Sequence, residues 1–321
     1  MPVLHLTEAD VESLVDMPVA IAAVERAFEQ LAAGQAVNVP RARARGPGLL
    51  LHTMSATAEY LGLAGYKAYT TTASTARFHV TVYDLESGQM VALIAADRLG
   101  QLRTGAASGV ATKHMARADA NSVGLLGAGW QARSQLQAVC CVREIGHVNV
   151  FCRSEEKRNR FAEEMTAECG VTVEAVASPE AAISEADIVV TATTAREPLF
   201  DGQLIAPGTH LNVIGSNQLA KAEVDTACVT AAARVACDRV DQCRIEAGEL
   251  ARAVEAGTFG WADCLELADI VAGSVRGRDN DKEITLFKSV GLAIEDVALA
   301  AELIQRAGNR QVGTPLAMDT T

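Results

Sequence analysis

Residues 123–137 read VGLLGAGWQARSQLQ. A short apolar run enters the turn Gly127-Ala128-Gly129, and a polar segment whose one charge is Arg133, without further glycine, leaves it. Gly127, Gly129 and Ala132 fit the pattern G-x-G-x-x-A. In that pattern the first glycine permits a tight turn, the second lets a pyrophosphate approach the backbone, and the third small residue lets helix and strand pack closely. A diphosphate there would meet the unpaired N–H groups of a helix opening at Trp130 and Gln131, on the side favoured by the helix dipole. Alone, such a turn is as readily structural. Its place after a strand and before a helix, heading a run of strand–helix repeats, selects dinucleotide binding.

Those repeats follow directly. Strand and helix alternate through HVNVFCRS, EEKRNRFAEEMTAEC, VTVEAV, SPEAAISEA and DIVVTATT, with further strands in THLNVIGSN and ARVACDR. Alternation at crossover spacing calls for a parallel sheet covered on both faces. Upstream, LTEADVESLVDMPVAIAAVERAFEQLAAGQ carries helical periodicity, opened by a capping-box-like Thr7/Asp10 pair and split by Pro18. Short strand-like runs come next, with Thr81–Ala95 reading as a hairpin that turns at Glu86-Ser87-Gly88. Arg103–Met115 becomes helical and alanine-rich. The stretch EITLFKSVGLAIEDVALAAELIQRAG is expected to form one long final helix, with Lys288 and Ser289 near its opening. The fold class is therefore α/β, an α+β domain over residues 1–116 followed by a Rossmann domain that starts at 117.

Hydrophobic residues make up 49% of the 321, enough for a large buried core. A formal charge of −12 argues against nucleic acid or an anionic membrane as a partner and makes any local cluster of cations informative. The eight cysteines form no C-x-x-C pair and no zinc-like spacing, so buried thiols and no metal are expected. No signal-peptide pattern or membrane-length apolar run is visible, so a cytoplasmic protein is expected. At the end of the second Rossmann strand, NVFCRSEEK places Cys152 where an acid would read the ribose of NAD, followed by Arg153 and Ser154. That leans toward the 2′-phosphate of NADP, although Glu155 and Glu156 and the option of Arg153 stacking on adenine keep NAD open.

LGAGWQA, LRTGAASGVATKHMA, ITLFKSVGLAIEDVALA and the lysine of GYKAY together resemble the ornithine cyclodeaminase/μ-crystallin family, in order along nearly the whole chain. The resemblance implies a homodimeric oxidoreductase that works on the C2–N bond of α-amino or α-imino acids with NAD(P)H, in which the C-terminal helix, about 290–321, completes the substrate-binding and dimerisation domain of residues 1–116 and leaves 117–289 as the Rossmann domain. It implies that Arg41, Lys67 and Arg103 hold the substrate carboxylate, and that Thr104, Thr193 and Ser289 join Gly127, Gly129, Trp130, Gln131, Ala132, Arg153 and Ser154 at the cofactor. The chemistry agrees: an acidic protein that orients an α-carboxylate needs a guanidinium fork and a second cation. Lys67 sits inside an apolar strand, where an ammonium is costly unless paired or snorkelling to the surface. Arg43 and Arg45 follow Arg41 at strand period and compete for its role.

One segment departs from the family. Where deaminating members carry an aspartate, in a stretch like IGADxPGKxELD, this chain reads VIGSNQLAKAEVD and places Asn217 there. An amide accepts no proton near neutral pH. Reduction of a preformed imine is therefore expected over cyclodeamination, with Lys67 as proton donor and Asn217 holding the nitrogen. Asp225 is an alternative acid, or else a helix N-cap. By alternation Arg77 and His79 share one strand face with Thr75 and Thr81. If that face lines the pocket, Arg77 reads a second carboxylate and iminosuccinate becomes a substrate. If it is a solvated sheet face, it reads nothing. Ornithine cyclodeaminase, alanine-type dehydrogenase and a non-catalytic μ-crystallin-like binding protein are the competing readings.

Overall fold

The computed structural model describes residues Pro2–Ala317. In chain order the elements are β1 (Val3–Leu6), α1 (Glu8–Leu14), α2 (Met17–Ala32), β2 (Ala36–Gly46), β3 (Leu49–Ala58), β4 (Leu63–Thr71), β5 (Ala76–Asp84), β6 (Met90–Ala95), α3 (Asp97–Met115), β7 (Ser122–Leu126), α4 (Trp130–Val142), β8 (His147–Phe151), α5 (Glu155–Cys169), β9 (Thr172–Ala175), α6 (Pro179–Ile183), β10 (Ile188–Thr191), β11 (His210–Val213), α7 (Thr226–Ala231), β12 (Ala232–Cys237), α8 (Val240–Glu246), α9 (Gly248–Glu255), β13 (Cys264–Glu266), α10 (Leu267–Val271), β14 (Ile284–Lys288), α11 (Ala293–Arg310) and β15 (Thr314–Leu316). They fall into two compact units, one running to Arg103 and resuming at Leu292, the other spanning Thr104–Gly291. The division lies inside α3, ahead of the change expected near residue 116.

The first unit is built on a seven-stranded sheet in the order β15-β1-β6-β5-β4-β3-β2. Thr7 caps α1 through the reciprocal bonds anticipated from its spacing to Asp10. Asp16 caps α2, and Pro18 lies in the first turn of α2, where its missing N–H costs nothing. The strands β3, β4 and β5 pair antiparallel, with Lys67 opposite Met54 on one side and Val80 on the other. Helix α11 packs on β3, β4 and α2. Its first turn is capped from a distance, Ile294 N donating to Asn38 Oδ1 at 3.2 Å.

The second unit carries an eight-stranded sheet in the order β13-β12-β14-β11-β10-β7-β8-β9, parallel throughout. Its core is lined by the apolar residues of β7 and β10 and by Leu211 and Val213 of β11. This is the Rossmann-type arrangement expected of the alternating pattern.

The C-terminal region differs from the expected single helix. Ile284–Lys288 is strand β14, inserted between β11 and β12, so Lys288 closes a strand and does not open a helix. Buried on both faces, the five residues ITLFK show no period-two signal that would set them apart from the helix beyond. Gly291, at φ +79°, separates the two. Helix α11 ends at Arg310, and the chain returns as β15 antiparallel to β1. Residues 318–321, part of the expected C-terminal helix, lie outside the described residues. Helix α3 also begins earlier than expected, at Asp97, because the Glu8 carboxylate accepts from Asp97 N and Arg98 N at 2.8 and 2.9 Å. Among the described residues no helix is long and apolar enough to cross a membrane.

Candidate active site

In the second unit, the turn after β7 has the geometry its glycines imply. Gly127 sits at φ +118°, and a Cβ there would lie 2.4 Å from the Ala192 carbonyl oxygen, so only glycine fits. Gly129 is different: its backbone is extended, and a Cβ would meet nothing within 4 Å. It stands at the N-cap of α4 without any side-chain cap, so the N–H groups of the first turn face an open cradle. Trp130 is exposed at the rim, Ala132 is fully buried against the strand, and the Gln131 Oε1 is buried without a hydrogen-bond partner. The pieces fit a diphosphate. Thr104 is buried, with its carbonyl accepting from Gln135 Nε2 at 3.2 Å. At the end of β8, Arg153 is exposed, and Ser154 caps α5 by accepting from Lys157 N.

In the first unit three of the expected cations gather on one sheet face. Lys67 is 3% exposed, and its Nζ donates to Asp296 Oδ1 at 2.9 Å. Arg103 donates to that same oxygen through Nε at 3.1 Å and to Glu295 Oε2 through Nη1 at 2.8 Å. Burial pulls the Lys67 ammonium down to about 8, with Asp296 opposing the shift and Arg103 and Arg41 adding to it. Arg41 is buried and donates to Met54 Sδ at 3.5 Å, whereas Arg43 is half-buried and Arg45 exposed. His52 stacks on Tyr69 with ring centroids 4.1 Å apart, and its Nε2 lies 3.1 Å from Thr71 Oγ1. Burial, reinforced by Arg43 and Arg41, lowers its pKa to about 4, so it is neutral and adds no charge.

Arg77 does not belong to this group. It pairs with Thr70, and His79 pairs with Ala68, one residue out of step with Lys67 and Tyr69. Both therefore project from the opposite face of the sheet, where both are exposed. The face bearing Lys67 carries Phe78 and Val80, with the Phe78 ring centroid 5.4 Å from Nζ. A second-carboxylate reader at Arg77 has no geometric support.

Two carboxylates at this cluster, Glu295 and Asp296, went unanticipated. The available signal was a pair of acids in the first turn of an otherwise apolar helix, both fully buried here.

Back in the second unit, Asn217 is half-buried on the loop after β11. Asp225 is a helix cap: Oδ1 accepts from Cys228 N at 2.9 Å and Oδ2 from Gly202 N at 3.0 Å. Ser289 is buried, and its hydroxyl donates to Asp238 Oδ2, which also accepts from Val290 N and Gly291 N. Thr193 donates through both its N–H and its hydroxyl to Glu223 Oε1. Burial pushes the Glu223 carboxyl upward, and Lys288 and the threonine bonds hold it down.

Known proteins are similar to this chain along nearly its whole length. A Δ1-pyrroline-2-carboxylate reductase from Bacillus cereus is 33% identical over 323 residues, 97% of this chain and 98% of the relative. An iminosuccinate reductase from Paracoccus denitrificans is 31% identical, covering 96% and 98% respectively. The structure of Thermococcus litoralis Δ1-pyrroline-2-carboxylate reductase in complex with NADH and L-proline matches with a TM-score of 0.94 at 35% identity, over 98% of this chain and 100% of that one. The profile of the ornithine cyclodeaminase/mu-crystallin family spans residues 3–310, and the chain belongs to that family.

Proposed function

We propose that the protein reduces a small α-imino acid bearing one carboxylate to the amino acid, using NAD(P)H. The observation that carries this reading is the buried cluster of Lys67, Arg103 and Arg41, in which the lysine's pKa falls to about 8. When bound, the reduced nicotinamide supplies a hydride to the imine carbon. Arg103 and Arg41 bind the substrate carboxylate by charge-assisted hydrogen bonds and so orient the C=N group. Lys67 gives a proton to the imine nitrogen, at a pKa close to the pH at which the acid must work. Asn217 holds the same nitrogen by a hydrogen bond that needs no titration. The turn at Gly127 and Gly129, with the first turn of α4, would hold the cofactor pyrophosphate.

The names of the relatives support imine reduction with a nicotinamide cofactor. A binding protein without turnover has no need of a buried, weakly acidic ammonium. The single-carboxylate preference follows from Arg77 lying on the opposite sheet face, so pyrroline-2-carboxylate and the imine of pyruvate come before iminosuccinate. The test is a panel of these imines, each with NADH and NADPH. The expected result is faster turnover of the monocarboxylates, and faster turnover of iminosuccinate would overturn the preference. Exposed Arg153, with no acid at Cys152, favours NADPH over NADH in that panel.

Ornithine is expected to yield no proline with the oxidised cofactor, because Asn217 cannot take the amine proton and Asp225 is committed to its cap. Chromatography of the reaction mixture decides this. Proline formed at a rate comparable with imine reduction would show that another base acts.

A homodimer is also expected. Val37 and Val39 on β2 and Tyr66 on β4 are 54%, 49% and 36% exposed, an apolar stripe on the sheet face opposite Lys67. Light scattering at micromolar concentration should give twice the chain mass, with Val39→Asp giving monomer. A monomeric wild-type protein would contradict this.

A further inference from the structure

Glu223 and Lys288 lie in the second unit, fully buried, and neither is explained by cofactor or substrate contact. The Glu223 carboxylate accepts four hydrogen bonds. Oε1 takes Thr193 N and Thr193 Oγ1, both at 2.6 Å, while Oε2 takes Gly215 N at 2.6 Å and Thr191 Oγ1 at 2.9 Å. Lys288 Nζ donates to the Ser216 carbonyl at 2.8 Å and meets Glu249 Oε2 at 3.2 Å. Glu249 closes the circuit, its Oε1 accepting from Glu223 N at 3.0 Å. One buried acid–base–acid network thus grips two loops, those leaving the C-terminal ends of the adjacent strands β10 and β11. In open parallel sheets, that end of the strands is where ligands bind. The residue after Ser216 is Asn217.

We infer that Glu223 and Lys288 are positioning residues, which fix the Gly215–Ser216 backbone so that Asn217 presents its amide to the substrate nitrogen. This rests on the role proposed for Asn217. The arrangement costs desolvation of three buried ionisable groups, and a purely structural role could be met by apolar packing at lower cost. Each Glu223 oxygen meets one backbone N–H, and a backbone N–H cannot reverse its role. Glu223→Gln is therefore nearly isosteric yet must turn an NH2 toward either Thr193 N or Gly215 N. The threonine hydroxyls can rotate to accept, but one backbone donor is left facing another.

The experiment is a double-mutant cycle with Glu223→Gln and Asn217→Ala, read as kcat for imine reduction. Cofactor affinity from NADPH or NADH fluorescence and the melting temperature are recorded for each variant. Each single variant should lower kcat about tenfold or more, and Asn217→Ala should keep cofactor affinity within about threefold of wild type. The double variant should fall little further than either single one, since residues acting as a unit are not additive. Thr191→Val, which removes only one of the four bonds, should move kcat in the same direction by less and serves if Glu223→Gln does not fold. Multiplying losses in the cycle would overturn the positioning role while leaving Asn217 at the substrate. A lowered melting temperature with kcat unchanged in both Glu223→Gln and Thr191→Val would reduce the network to a structural one. An Asn217→Ala enzyme as active as wild type would overturn the role of Asn217, and the inference with it.

Discussion

Lys67→Met is expected to lower kcat for imine reduction by about a hundred- to ten-thousand-fold, the range a positioned proton donor contributes. The substitution keeps the length of the stem and leaves Asp296 paired with Arg103 at 3.1 Å, so no carboxylate is orphaned and the fold should survive. Cofactor affinity should stay near wild type, because the groups proposed to hold the pyrophosphate are backbone N–H groups at Gly129 and the first turn of α4. The pH dependence carries the specific signature. A donor works in its protonated form, and burial brings the Lys67 ammonium down to about 8. The wild-type reductive rate should therefore hold below that pH and fall, with a one-proton slope, as pH rises through it. The residual rate of Lys67→Met should lack this limb. Persistence of the same limb in the variant would assign the proton to another group.

Gly129→Val is expected to abolish measurable cofactor binding while the protein remains folded. A Cβ at Gly129 meets nothing within 4 Å of protein, so a side chain there starts into the open cradle proposed for the pyrophosphate. Losing two charge-assisted bonds, each on the order of 1.5–3 kcal/mol, lowers affinity by about a hundredfold or more. Gly127→Ala should behave in the opposite way. At φ +118°, with a carbonyl oxygen 2.4 Å from the added Cβ, it should destabilise the fold before affinity becomes measurable. Fluorescence titration and thermal melting of both variants separate the two effects. Unaltered affinity in folded Gly129→Val would remove the dinucleotide assignment.

The parts of the fold that were legible are those whose signal is local. The turn at Gly127, the Thr7 capping box and the Asp225 cap each depend on residues within a few positions of one another. The parts that were not legible depend on distant partners. The start of α3 rests on Glu8, on another helix. Strand β14 takes its identity from β11 and β12 on either side, and its own five residues carry no periodicity. The segment between β12 and β14, with α8–α10 and β13, consists of short elements and gave no clear pattern. At the site, Lys67 and Arg103 could be named because cations in apolar surroundings demand an explanation. Their partners Glu295 and Asp296 read simply as polar positions on an apolar helix. Alternation grouped Arg77 with His79 correctly, but that they face away from Lys67 follows from the strand register set by the Thr72–Thr75 turn, where Thr72 N donates to Thr75 O.

Imine reduction by hydride transfer is tested with cofactor deuterated at the transferring position of the nicotinamide, mixed with the protein and pyrroline-2-carboxylate or with pyruvate and methylamine. The product is then analysed by mass spectrometry and chiral chromatography. Cofactor oxidation matched one-to-one by a single enantiomer of the amino acid carrying deuterium at Cα is expected. Protein that binds the reduced cofactor yet transfers deuterium to none of these imines would contradict it.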